Sequence, residues 1–202
     1  MRFDALILCG GRGRRLNGAD KAVLVVSQRS LLDRAVDAVM SASTTIAVGP
    51  RHETTREVVW TIEDPPGGGP VAAIAAGLDL VGEDVVVILG VDFPFVEELH
   101  VHRLLERIDG DGAIVADATG RHQFLVGAYR ASALRRALMG KEPRDMAVKE
   151  VVDDLDLVVM DDLRVAQDCD TWADVSSADA TLTVGGKRSP RRPAPGALDS
   201  RE

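Results

Sequence analysis

Between Leu8 and Lys21 the chain reads Leu-Cys-Gly-Gly-Arg-Gly-Arg-Arg-Leu-Asn-Gly-Ala-Asp-Lys. Glycines let backbone N–H groups come close to phosphate oxygens and cradle them. Arg15, as a planar fork, and Lys21, as a point charge, can neutralise a triphosphate. Two familiar phosphate loops do not fit. GxxxxGK[ST] fails because Ala19 follows Gly18, and GxGxxG fails because Leu16 stands where the third glycine belongs. The competing reading is a basic surface loop. Two Gly-rich turns that bracket three arginines and end in Asp-Lys favour the phosphate reading.

Three acidic positions stand at places where a carboxylate can do chemistry. Asp92 lies in Gly90-Val-Asp-Phe-Pro94, directly after an apolar run. A carboxylate at the carboxyl end of a buried strand can hold a hard cation that bridges phosphate oxygens, or it can cap the helix that follows. Asp64 precedes Gly67-Gly-Gly-Pro70. Bare backbone there allows a nucleobase to lie against it and be read by hydrogen bonds, or the segment is a plain connection. Asp170, in Asp168-Cys-Asp-Thr-Trp-Ala-Asp174, completes the metal site from a distant part of the chain, or else Asp170 or Thr171 merely caps a last short helix.

Other reactive residue types form no set. Cys9 and Cys169 have no CxxC or Cys/His spacing, which argues against zinc and against a disulfide scaffold. His52, His100 and His102 show no ligand pattern, and His100 and His102, two apart on a helix, do not share a face. Arg121-His122-Gln123 reads as a turn between strands, either reaching a second substrate or simply polar.

The elements that must position these residues follow from apolar patterning. Ala5–Cys9, Thr44–Val48, Val58–Ile62 and Asp84–Leu89 read as strands, and Ala113–Ala116, Phe124–Tyr129 and an edge strand at Leu157–Met160 join them. Ser30–Ala42 has helical spacing, with Ser30 as N-cap and Asp33 three residues on. Pro70 suits the first turn of a helix to about Leu80. Further helices are expected at Val96–Arg107, Ala131–Met139 and Met146–Val152. Alternation of strands and helices implies a mostly parallel sheet covered on both faces, with ligands outside the carboxyl ends of the strands. The fold class is therefore α/β, Rossmann-like and three-layered α/β/α.

A chain of 202 residues suits one such domain, here expected over 1–184. Residues 185–202, rich in Gly, Pro, Arg and Ser, read as a disordered tail. Hydrophobic residues make up 46% and aromatic ones 3%, so the core is aliphatic. A net charge of −8 argues against nucleic acid as partner, while the local cluster of Arg12, Arg14, Arg15 and Lys21 still allows a phosphorylated ligand. No apolar stretch approaches the length of a membrane span, and Ala5–Cys9 is too short for a signal peptide. A cytoplasmic location is expected.

Taken together, these motifs resemble the molybdenum cofactor guanylyltransferases, within the MobA-like nucleotidyltransferases. The glycine-rich signature stands as Leu8-Cys9-Gly10-Gly11, then Arg15, Gly18, Asp20 and Lys21. A second segment runs from Asp64 through Gly69-Pro70, a third is Val91-Asp92-Phe93-Pro94-Phe95, and a fourth is Asp168-Cys169-Asp170-Thr171. The fourth carries Trp172-Ala173 where the family has Pro-Glu. The resemblance spans about residues 3–176 and implies the nucleotide-diphospho-sugar transferase type of α/β fold. It implies that Leu8, Cys9, Gly10, Gly11 and Lys21 bind the nucleotide, with Asp64, Gly69 and Pro70 near the nucleoside. It implies further that Arg15 supports the phosphates and that Asp92, with Asp170, binds Mg²⁺. The substrates implied are GTP, or another nucleoside triphosphate, and molybdopterin or a similar phosphorylated acceptor. Transient contact with molybdoenzymes or other cofactor-biosynthesis proteins is also implied. The alternatives are a cytidylyltransferase or another acceptor within the same group, and a nucleotide-binding accessory protein without catalysis.

Overall fold

A computed structural model describes residues 1–10, 16, 18–161 and 165–185. Gly11, Arg15 and the tail from residue 186 lie outside the described residues.

Four segments become parallel strands: β1 (Asp4–Leu8), β4 (Thr45–Val48), β5 (Val59–Thr61) and β6 (Val85–Gly90). Of these, β1, β4 and β6 are largely buried on both faces, as strands sandwiched between helix layers must be, while β5 is a short, more exposed edge strand. Between β1 and β4 lie a 3₁₀ turn at Lys21–Val23 and a short hairpin, β2 (Val25–Val26) with β3 (Arg29–Ser30), none of which the periodicity reveals. With β8 (His122–Arg130) the main ladder runs in the order β5-β4-β1-β6-β8, and β8 is antiparallel to β6. A parallel pair, β7 (Gly112–Ala116) and β9 (Leu157–Asp161), adjoins β8, where the Arg130 N–H donates to the Asp111 carbonyl at 2.9 Å.

Side chains of successive strand residues point to opposite faces, and β1 divides the core accordingly. Ala5 and Ile7 enter one apolar cluster with α1 (Leu31–Ala38) and α3 (Glu98–Arg107). Leu6 and Leu8 enter the other, with α2 (Pro70–Leu78), α4 (Ala131–Leu138) and α5 (Val148–Val152). The three-layer α/β/α expectation holds. A final helix, α6 (Trp172–Gly185), packs beside β2 and adds Val175 and Ala178 to the first cluster. Helix caps follow the sequence: Ser30 Oγ accepts from the Asp33 N–H at 3.0 Å, and Glu97, not Asp92, is the N-cap of α3.

The α2 layer sits very close to the sheet. A Cβ at Gly77 would lie 2.8 Å from Leu6 Cδ2 and 3.1 Å from Val48 Cγ2, both residues fully buried. Overpacking of this kind costs about 1–3 kcal/mol. Gly77→Leu is accordingly expected to lower the unfolding free energy by about that amount in urea denaturation; an unchanged midpoint would mean that α2 does not press on the sheet.

Candidate active site

Strand register decides where the loops open. Leu8 of β1 pairs with Val48 of β4 and with Gly90 of β6, and Val48 pairs with Thr61 of β5. Four carboxyl ends therefore finish level, and the residues just beyond them share one edge: Gly10, Gly49, Glu63 and Asp92. A cavity of about 670 Å³ opens there. Its walls include Leu8, Cys9, Gly10, Lys21, Gly69, Pro70, Asp92 and Asp170, which lie far apart in sequence.

Two close approaches shape the floor. Gly49 has φ +139, and a Cβ on it would lie 3.1 Å from the Gly10 nitrogen, so the β4 and β1 loops touch backbone to backbone. Gly69, with φ 92, turns the chain into α2, whose first residue is Pro70.

At one end of the cavity a cation sits between two carboxylates. Lys21 Nζ donates to Asp92 Oδ2 at 2.9 Å and to Asp170 Oδ1 at 2.6 Å. Burial by itself pulls the Lys21 pKa down, but the Asp92 charge and the hydrogen bonds to Asp170 and Asp92 outweigh it and hold the group above its ordinary 10.5. Its stabilising contribution is therefore fully present below pH 10.5 and is lost only as pH rises through the higher folded value. Asp168 is held above the usual carboxylate range, first by burial and then by the charges of Asp170 and Asp92. Negative charge is thus concentrated around the ammonium of Lys21.

Several local devices fix this triad. Asp20 N-caps the 3₁₀ turn that carries Lys21, accepting from the Ala22 N–H at 3.0 Å. Its other oxygen lies 3.1 Å from His52 Nε2, and His52 packs edge-on to Trp60. Asp92 is anchored through its carbonyl, which accepts from the Cys169 N–H at 2.8 Å. The side-chain cap of α6 is supplied by Thr171 and Asp174. Thr171 Oγ1 accepts from the Asp174 N–H at 3.2 Å, and the Thr171 N–H donates to Asp174 Oδ2 at 2.7 Å. With that reciprocal cap made by Thr171 and Asp174, Asp170 Oδ1 accepts from Lys21.

Cys9 lines the cavity but carries no nucleophile. Burial, and then the charge of Asp20, push its thiol up to about 12. Arg121 and His122 do not line the cavity; the turn before them is held by Asp117, whose Oδ1 accepts from the Thr119 and Arg121 N–H groups.

At the opposite end the structure departs from the sequence reading in one respect. Asp64 is exposed and does not line the cavity, and its neighbour Glu63 does. Asp64 stands where the chain bends away after β5, while Ile62 and Glu63 before it line the wall. Asp145, which the motifs did not single out, also lines this end; its N–H donates to the Gly68 carbonyl at 2.7 Å. No local signal marks Glu63 or Asp145 in the sequence, since both reach the cavity through long-range packing.

The arrangement suits a nucleotide: a glycine-lined floor, a phosphate-sized cationic and acidic end, and an apolar slot. Comparison with known proteins agrees. The family model of the MobA-like NTP transferase domain matches residues 5–156. A molybdenum cofactor guanylyltransferase of Acidiphilium cryptum is 35% identical over 150 residues, covering 69% of this chain and 74% of that protein. Among solved structures, molybdopterin-guanine dinucleotide biosynthesis protein A from Archaeoglobus fulgidus superposes with a TM-score of 0.69 at 19% identity, covering 90% of this chain and 99% of that one. The 2-C-methyl-D-erythritol 4-phosphate cytidylyltransferase of Thermus thermophilus shares the fold with a TM-score of 0.64 at 21% identity, covering 90% and 98%.

Proposed function

The chain belongs to the MobA-like NTP transferase family, and from that premise we propose that this nucleotidyltransferase moves GMP from GTP to molybdopterin. The observation that carries the reading is Lys21 held between Asp92 and Asp170 at one end of a nucleotide-sized cavity.

In this reading an oxygen of the acceptor phosphate attacks the α-phosphorus of GTP in line. The new P–O bond forms as the bond to the β-phosphate oxygen breaks, and pyrophosphate leaves with that electron pair. A phosphate monoester is largely deprotonated at neutral pH, so the attacking oxygen needs no general base. The protein's contribution is positioning and charge neutralisation, as is usual for phosphoryl-type transfer. The Gly10 backbone and the ammonium of Lys21 bind phosphate oxygens, and Arg15 is assigned the same task. The apolar walls at Leu8 and Pro70 exclude water from the nucleoside.

A divalent cation fits the residues present. Two carboxylates, Asp92 and Asp170, already converge on a single positive charge at 2.9 and 2.6 Å. Mg²⁺ is commonly held by one or two carboxylates, with phosphate and water completing the shell. Asp92 and Asp170 would hold it, and it would supply charge neutralisation at the phosphates.

The test is pyrophosphate release from GTP or CTP, with Mg²⁺, in the presence and absence of molybdopterin. Acceptor-dependent release from GTP supports the reading. A preference for CTP would make the chain a cytidylyltransferase, and no release with any acceptor would reduce it to a nucleotide-binding module. No helix among the described residues is long and apolar enough to cross a membrane. Transfer to a molybdoenzyme or another cofactor-biosynthesis protein, in the cytoplasm, is proposed to follow.

A further inference from the structure

We infer that Glu63 reads the nucleobase: its carboxylate accepts from the adjacent N1–H and N2–H donors of guanine and so sets the selectivity for GTP. The inference rests on the guanylyl reading proposed above.

Position comes first. Glu63 follows β5, and β5 stands three places from β6 in the strand order. Three inter-strand spacings amount to about 14 Å. Glu63 and Asp92 thus lie at opposite ends of one cavity, separated by roughly the length of a nucleoside triphosphate from base edge to phosphates.

Chemistry comes second. Ile62 and Pro66 flank Glu63 along the chain and Leu8, Pro50 and Pro70 share the same cavity walls, a setting for a flat ring. Glu63 is half-buried as a residue, and its Oε1 accepts from the Gly67 N–H at 2.9 Å, which orients the carboxylate within the loop. A carboxylate offers about four acceptor positions and no donor. Set in a cavity wall rich in apolar side chains, it favours a ligand edge that presents two neighbouring donors. Guanine has such an edge in N1–H and the 2-amino group. Adenine and cytosine place an acceptor ring nitrogen next to their amino group, and uracil flanks its N–H with carbonyls, so each sets an acceptor against the carboxylate.

Asp145 is the other acidic group at this end. Its side chain is 80% exposed and lies 3.7 Å from Arg144, so it is solvated and partly neutralised. Of the two, Glu63 is the anchored one.

The test measures binding of GTP, ITP, XTP and CTP, each with Mg²⁺, to the wild-type chain and to Glu63→Gln by calorimetry. ITP lacks the 2-amino group, and XTP carries a carbonyl in its place. The wild type is expected to favour GTP over ITP and CTP by about tenfold or more, as expected for loss of a hydrogen bond to a charged group. In E63Q the GTP affinity should fall about 10- to 100-fold and the GTP-to-ITP ratio should approach one. XTP should bind E63Q better than it binds the wild type, because a glutamine amide can accept from N1–H and donate to the 2-carbonyl. That gain separates base reading from structural damage. Glu63→Asp, which keeps the charge but draws it back, should give an intermediate ratio and serves if E63Q folds poorly. A wild type that favours GTP, joined to variants with the same nucleotide ratios, would overturn the role of Glu63 alone. A wild type that binds CTP as well as GTP would overturn the guanylyl reading and this inference together.

Discussion

Asp92→Asn is expected to abolish most turnover, by on the order of 10²–10³ in kcat, while leaving the fold intact. The substitution removes a charge and almost no volume. The Asp92 carbonyl still accepts from Cys169 N–H, and the side chain stands at a partly exposed cavity wall, 23% accessible, where no packing is lost. What changes is the electrostatic complement at the phosphate end. Asn keeps one acceptor for Lys21 but binds a hard cation poorly, so the charge spread over the α-phosphate in the transition state goes unneutralised. The check is steady-state pyrophosphate release across a Mg²⁺ titration, with circular dichroism and a urea melt as controls for folding. Full turnover at ordinary Mg²⁺ would remove Asp92 from the site assignment.

Lys21→Met should produce two effects of opposite sign. Nucleotide affinity is expected to fall by at least about tenfold, because a charge-assisted contact to phosphate is lost. Without nucleotide, however, Mg²⁺ should bind the variant more tightly than it binds the wild type. Lys21 Nζ occupies the position between Asp92 and Asp170 toward which both carboxylates point, and a metal must compete with it. Methionine vacates that position without filling it with charge. The metal-free variant is expected to be less stable by about 2–3 kcal/mol at neutral pH, since two neighbouring carboxylates lose their counter-ion. Added Mg²⁺ should restore part of that loss by mass action. Calorimetric titration with MgCl₂ alone, beside thermal melts with and without Mg²⁺, measures both. A variant with unchanged Mg²⁺ affinity would show that the ammonium and the metal do not share a place.

Much of this fold is legible in the sequence because its signals are local. The β-branched apolar run Val85–Leu89, stopped by a glycine, favours a strand buried on both faces, and Pro70 after three glycines favours the first turn of a helix. Ser30, three residues before Asp33, caps where local hydrogen bonding says it must. The glycine-rich turn, Asp92 and Asp170 are likewise visible as residue types in unusual surroundings. The hairpin at Val25–Ser30 was missed because two-residue strands carry too few positions to show a period.

Other features were decided only by the tertiary structure. That Thr171 and Asp174 make the cap of α6 while Asp170 meets Lys21, 149 positions away, is an arrangement that spacing cannot score. That Glu63 and not Asp64 lines the cavity depends on where the chain bends after β5, which no residue pattern there encodes. The level ends of β1, β4, β5 and β6 arise from strand register, a long-range property set by the packing of two helix layers on the sheet. Sequence alone determined which chemical groups this protein possesses and which elements carry them. Their meeting in one cavity was settled by strand order and register, because hydrogen-bond ladders between distant segments fix distances that no local pattern encodes.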